Sequence, residues 1–116
     1  MRTLGAAALL LLAACGSGPA VDTSHLTPEE QNLLRPVPDA PESAQRRVAR
    51  GDEMFVRATT AAPESAAIDL YTRARACYVE AQAECGLMVP PAITERSREC
   101  LMRIVALQKQ RRTTPK

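Results

Sequence analysis

The sequence has no tryptophan, and Phe55, Tyr71 and Tyr78 are the only aromatic residues among 116. Large rings normally supply much of a buried core, so a core built from this chain rests on small aliphatic side chains, alanine above all. There is one histidine, His25. It lies in a proline-containing stretch without the clustered partners that catalysis or metal binding requires. Charge of a single sign is also missing. The formal net charge is +2, with arginine and glutamate interspersed along the same stretches, so there is no basic field for nucleic acid. Alternating β-branched runs are scarce, while Ala, Arg, Glu, Leu, Gln and Met dominate the second half, a composition that favours helix.

The chemistry-bearing motifs are missing as well. The chain has no Ser, His and Asp constellation, no phosphate-binding loop and no glycine-rich nucleotide turn. The expectation is a protein that is not an enzyme, with no cofactor, no metal and no small-molecule substrate. Glu80, Glu84, Glu95 and Glu99 alternate with Arg75, Arg96, Arg98 and Arg103, the pattern of a solvated salt-bridge face.

The longest apolar run is Leu4 to Ala14, preceded by Met1 and Arg2. It is too short to span a bilayer as a helix and has the form of a signal-peptide core. It ends in Leu12, Ala13, Ala14 and Cys15. This tetrad resembles the lipobox of bacterial lipoproteins, in which an aliphatic residue and two small ones precede the modified cysteine. The resemblance implies removal of residues 1–14 as a signal peptide and lipidation of Cys15, which then holds the chain to the membrane through its acyl chains, since each buried CH₂ contributes about 0.8 kcal/mol. Gly16 and Ser17 follow the cysteine, where an Asp would mark retention in the inner membrane. The family rule therefore implies an outer-membrane protein facing the periplasm of the bacterial cell envelope.

Residues 15–41 contain Gly16, Gly18, Pro19, Pro28, Pro36, Pro38 and Pro41 with few apolar side chains, and read as a lipidated N-terminus and flexible tether. One island interrupts it. Thr27, Pro28 and Glu30 have the pattern of an N-cap, a first-turn proline and a capping-box acid, followed by Leu33 and Leu34, which suggests a short helical turn docking on the domain.

The domain itself is expected over 42–112, as a small all-α unit of three antiparallel helices, with a flexible tail at 113–116. Two identical pentapeptides, Ala40 to Ala44 and Ala62 to Ala66, read Ala, Pro, Glu, Ser, Ala and start the first two helices. Apolar and small residues recur at helical spacing in each: Ala44, Val48, Gly51, Phe55 and Ala58 in the first, then Ala67, Leu70, Ala74, Cys77, Ala81 and Cys85 in the second. Gly86 stops the second helix. Pro90 and Pro91 open the third, with Ile93, Ser97, Cys100, Ile104 and Leu107 on its stripe and Leu101 and Val105 widening it. The short connection makes helices two and three antiparallel neighbours, with residues whose numbers total about 177 facing each other. Gly51, Ala67, Tyr71 and Ala74 resemble the small and aromatic signature of a tetratricopeptide helical hairpin over residues 44–83. Arg47, Arg50 and Val79 depart from that signature where it prefers Trp, Leu and Pro.

With Cys15 lipidated, Cys77, Cys85 and Cys100 remain, in a compartment that permits disulfides. The register sets Cys77 opposite Cys100, a cross-link that would contribute about 3 kcal/mol; reduced core thiols are the alternative. Size, anchoring and helicity together suggest a non-catalytic protein-interaction or assembly-accessory module with an envelope protein as partner. The alternative is a structural envelope lipoprotein that contacts peptidoglycan through the basic stretch from Lys109 to Lys116.

Overall fold

The computed structural model describes residues 23–113. The expected signal peptide, Cys15 and residues 114–116 of the expected tail lie outside the described residues. Four α-helices and no strand occur among those described: α1 (Pro28–Leu33), α2 (Glu42–Ala58), α3 (Glu64–Cys85) and α4 (Pro91–Thr113). The three long helices are those the apolar stripes mark out. The all-α class holds, and α1 adds a fourth helix to the expected three.

Local chemistry sets each boundary. At α1 the Thr27 hydroxyl accepts from the Glu30 N–H at 3.1 Å while the Glu30 carboxylate accepts from the Thr27 N–H at 3.0 Å, the reciprocal capping box that the residues suggest. Pro41 and Pro63 stand at the N-cap positions of α2 and α3, one residue earlier than the first helical turn, and Glu42 and Glu64 follow at the positive ends of the helix dipoles. Pro91 is the first residue of α4, where its missing N–H costs nothing. Gly86 ends α3 with φ 68° and ψ −128°, a conformation that a residue with a Cβ rarely adopts.

The three long helices form two antiparallel pairs sharing α3. Between α2 and α3, Ser43 reaches Glu84 at 2.9 Å, Arg47 reaches Glu80 at 2.9 Å, and Phe55 meets Tyr71 edge to face with ring centroids 5.4 Å apart. Between α3 and α4, Gln82 meets Thr94 at 3.1 Å and Tyr71 meets Arg103 at 3.1 Å, close to the register that the short turn implies. The buried surface is the expected one on α2 and α3: Ala44, Val48, Phe55 and Ala58 face Ala67, Tyr71, Ala74, Tyr78 and Ala81. On α4 the stripe is narrower than the sequence suggests. Ile93, Ser97 and Cys100 are buried, whereas Leu101 and Val105 are 44% and 52% exposed.

Small side chains line the facing stripes, and Gly51 is a point of close contact between α2 and α3. A Cβ placed there would stand 2.6 Å from Cε1 of the Tyr78 ring. We expect Gly51→Ala to destabilise the domain by about 1–3 kcal/mol through overpacking, even though alanine gains about 1 kcal/mol in intrinsic helix propensity. Urea denaturation compares the two chains, and an unchanged or raised midpoint would show that the Tyr78 ring can yield.

The stretch before α2 corrects the expected tether. From Leu26 onward it is part of the domain, a strap laid across the bundle: Leu26, Val37 and Ala40 are buried, and Leu33 and Leu34 are half-buried against the core. Arg35 pairs with Glu95 at 3.2 Å, Glu30 with Arg103 at 2.7 Å, and His25 hydrogen-bonds Thr59 at 2.8 Å. The physical reason is positional. Few apolar residues suffice when prolines restrict the backbone between them, so that less entropy is lost on docking.

The strap carries a pH dependence. Burial would raise the Glu30 carboxyl, but hydrogen bonds from Thr27 and Arg103 together with the Arg103 charge outweigh it and hold the group below its ordinary 4.5. A depressed carboxyl stabilises the fold above the unfolded value and loses that contribution as pH falls through the folded one. Amide hydrogen exchange at Glu30 and Gln31 should therefore accelerate relative to the α3 core as pH drops below about 4.5. Equal acceleration in a Glu30→Gln chain would remove Glu30 as the cause.

Candidate functional site

Arg96 lies on the α4 stripe between Ile93 and Cys100, and its side chain is 1% exposed. A buried guanidinium needs a counter-charge and partners for five N–H groups. Asp52 of α2 supplies the counter-charge and accepts two of these bonds: Nε donates to Oδ1 at 3.0 Å and Nη2 donates to Oδ2 at 3.3 Å. Nη2 also donates to the Arg35 carbonyl on the strap. Nη1 is buried and has no partner. Asp52 accepts a further bond from the Tyr78 hydroxyl of α3 at 2.5 Å. One cluster thus ties α2, α3, α4 and the strap together.

Burial pushes the Asp52 carboxyl above its ordinary value, outweighing the Arg96 charge and the bonds from Tyr78 and Arg96. The Tyr78 hydroxyl is also raised, by burial first and then by the adjacent Asp52 charge. The pair is anchored as an ion pair with a phenol cap, an arrangement suited to holding helices in register.

Above this cluster opens a cleft of about 220 Å³, lined by Leu34, Arg35, Pro36 and Val37 of the strap, Gln45, Val48, Ala49 and Asp52 of α2, and Arg96 of α4. Its walls are mostly aliphatic and its charged groups come in compensating pairs. A second polar centre lies one helical turn or more away. The Arg103 guanidinium stands 4.9 Å from the Phe55 ring centroid and 5.8 Å from that of Tyr71, while Glu99 and Glu30 each accept from it at 2.7 Å. Cation–π contact and two carboxylates thus surround one arginine.

Two arginines assigned by their spacing to a solvated face are therefore interior or half-interior. Sequence reasoning missed both Arg96 and Asp52; the one available signal was their place beside the stripes, Arg96 three residues after Ile93 and Asp52 directly after Gly51. Glu80 and Glu84 do lie in exposed ion pairs, but their partner is Arg47 of α2 and not one of the four arginines expected, at 2.9 Å to Glu80 and 3.3 Å to Glu84.

Cys77, Cys85 and Cys100 are free thiols, and the expected Cys77 to Cys100 cross-link is not formed. The two thiols occupy different surroundings. Cys77 feels Glu80 on its own helix and Arg47 and Arg50 of α2, whereas Cys100 lies near Asp52, Arg75 and Glu99. The number-matching register fixes a level along the helices and not which neighbours a side chain meets. Burial raises the Cys77 thiol and pushes Cys100 up to about 12. Because the thiolate is the reactive form, iodoacetamide should modify half-buried Cys85 first and reach Cys77 and Cys100 only on unfolding. Mass mapping of the alkylated peptides reads this, and early labelling of Cys100 would contradict the packing described.

Further apolar side chains stand in solvent: Leu87 and Met88 in the turn between α3 and α4, and Leu101, Met102 and Val105 along α4. Among the described residues no three His, Cys, Asp or Glu side chains are grouped to hold a metal ion, and no helix is long and apolar enough to cross a membrane. Comparison of the chain with family models, with curated proteins and with solved structures finds no match in any of the three.

Proposed function

We propose that the chain is a bacterial lipoprotein, anchored through acyl chains on Cys15 to the outer membrane and facing the periplasm, where its helical domain acts as a non-catalytic interaction or assembly-accessory module. The observation that carries the anchor is the tetrad Leu12, Ala13, Ala14 and Cys15 closing an uncharged run that begins at Leu4. The module reading draws support from the aliphatic cleft beside Arg96 and from the exposed Leu101, Met102 and Val105 on α4, since apolar side chains left in solvent are characteristic of binding surfaces when they cluster. The α2 and α3 hairpin is read as tetratricopeptide-like, a scaffold suited to presenting such surfaces.

Cys15→Ser is the direct test. The anchored reading expects loss of labelled fatty acid incorporation and release of the chain from the membrane fraction. A variant that still fractionated with membranes as the parent does would overturn it. For the module, cross-linking in intact cells followed by purification in detergent should recover an envelope protein in defined ratio with the chain.

A structural role on peptidoglycan is the second reading, favoured by Lys109, Arg111 and Arg112, which are exposed at the end of α4 and join no ion pair among the described residues. Co-sedimentation with purified sacculi that disappears on removing residues 109–116 would support this reading over the first.

A further inference from the structure

Helix α4 carries a second stripe, on the side turned from the core. Thr94, Arg98, Leu101, Val105, Gln108 and Arg112 recur at steps of four and three, and all are exposed. Thr94 marks the edge of the stripe next to α3 through its bond with Gln82 at 3.1 Å. The centre of the stripe is apolar. Leu101 is 44% and Val105 52% exposed, Met102 beside them is 56% exposed, and Val79, one turn before Gln82 on α3, is 43% exposed. Single apolar side chains in solvent need no explanation, but a group of them marks a face that meets something.

Steps of four and three are the spacing at which two helices interlock side chain by side chain, and the order of residues along the stripe decides which helix fits. Against an antiparallel copy of itself the stripe matches layer by layer. Leu101 meets Val105 of the second copy, Arg98 meets Gln108, and Thr94 meets Arg112, each pair occurring twice about a twofold axis. On the flank, Met102 meets its own equivalent at the axis and Glu95 meets Lys109 at either end. Glu95 is 53% exposed while it holds Arg35, which leaves its carboxylate room for a second cation. A parallel copy would instead set Arg98 on Arg98 and Arg112 on Arg112, and like charges in facing positions repel.

We propose that this face binds a second copy of the chain, α4 against α4, in an antiparallel twofold dimer with Leu101 and Val105 at its centre and Glu95 to Lys109 pairs at its ends. The occupant follows from self-complementarity: a twofold contact needs one patch whose own two halves match, and this stripe has its acid on the flank near one end and Lys109 on the same flank near the other. The apolar group is small beside the roughly 800 Å² per partner of a standard interface, so the association is weak. The inference goes beyond the module reading and holds whether or not Cys15 carries lipid.

The test is sedimentation equilibrium of the full chain, isolated from cells in a density-matched detergent with micelles in large excess. Mass against protein concentration should pass from monomer to dimer with a Kd on the order of 100 µM. Val105→Arg places a cation at the centre of the face and should raise the Kd at least about tenfold. Glu95→Lys sets like charges against Lys109 at both ends and should raise it by about tenfold. Adding Lys109→Glu to that chain restores both pairs with their signs exchanged, and the Kd should return to within about threefold of the parent. All three positions are exposed, and circular dichroism checks that each variant keeps the helix content of the parent. Should Val105→Arg lose helix, the charge exchange alone decides.

A chain that stays monomeric up to about 1 mM overturns the proposal and leaves the face to another protein or to a lipid surface. An unchanged dimer in folded Val105→Arg shows that another surface, or the acyl chains, holds the two copies. Failure of Lys109→Glu to rescue Glu95→Lys overturns the antiparallel register, and masses beyond the dimer overturn the twofold closure.

Discussion

Arg96→Ala should cost about 3–5 kcal/mol, the range found when one partner of a buried ion pair is removed. The loss has several parts that act together. Asp52 keeps its charge in a site from which burial already tends to expel it, and the Tyr78 hydroxyl becomes its main remaining partner. The strap loses the donor that holds the Arg35 carbonyl. Small domains have only about 5–15 kcal/mol in total, so the variant should unfold at a much lower urea concentration. The sign of the pH response distinguishes this account from simple loss of packing. With Arg96 gone the Asp52 carboxyl rises further above its usual 3.8. A carboxyl raised in the folded state destabilises above its folded pKa, and the penalty lifts as pH falls through that value. The gap between variant and parent should therefore narrow at low pH, and a constant gap would assign the loss to packing alone. Replacing both partners, Arg96→Met with Asp52→Leu, should recover most of the stability, because a buried pair exchanged for apolar groups of similar volume is often close to neutral.

Phe55→Ala is the second substitution with a large expected effect. Phe55 is fully buried, and few other rings can fill its place. It meets Tyr71 edge to face and carries the Arg103 guanidinium 4.9 Å from its centroid. Truncation of a buried phenylalanine costs about 3–5 kcal/mol. Here the cation–π contact adds to the loss, by about 0.5–2 kcal/mol. In a domain of this size each kcal/mol shifts Tm by about 4–8 °C, so calorimetry should show a fall of roughly 15 °C or more. Phe55→Leu separates the two contributions. It retains most of the volume and loses the ring, and a result within about 1.5 kcal/mol of the parent would show that volume matters more than the aromatic face.

Periodicity made the three long helices and most of their core legible. Ala44, Val48, Gly51, Phe55 and Ala58 recur at a spacing only a helix can use, and all five are buried. The capping box at Thr27 and Glu30 was readable for the same reason, since it depends on neighbours in sequence. Arg96 was hidden because a charged residue on an apolar stripe reads as a break in the stripe; only its partner across 44 residues reveals the burial. The free thiols were not legible because matching residue numbers along two antiparallel helices gives a level on the axis and says nothing of the neighbours each side chain meets, which differ for Cys77 and Cys100. The strap failed through averaging. Its composition over residues 16–41 resembles a linker, yet Leu26, Val37 and Ala40 fall where prolines deliver them to the bundle.

That strap alters the scale of the proposed anchoring. Read as free chain, residues 16–41 would give the domain a wide radius of search. With the stretch from Leu26 committed to the bundle, only residues 16–25 of the expected tether precede the first buried side chain. A stretch of that length spans at most roughly 35 Å when fully extended, against roughly 90 Å for the whole expected tether. The proposed anchoring would thus give the domain a shorter radius of search than the full stretch 16–41 suggests. The bond from His25 to Thr59 sets the start of the strap beside the turn between α2 and α3, at the other end of α3 from the exposed Leu87 and Met88.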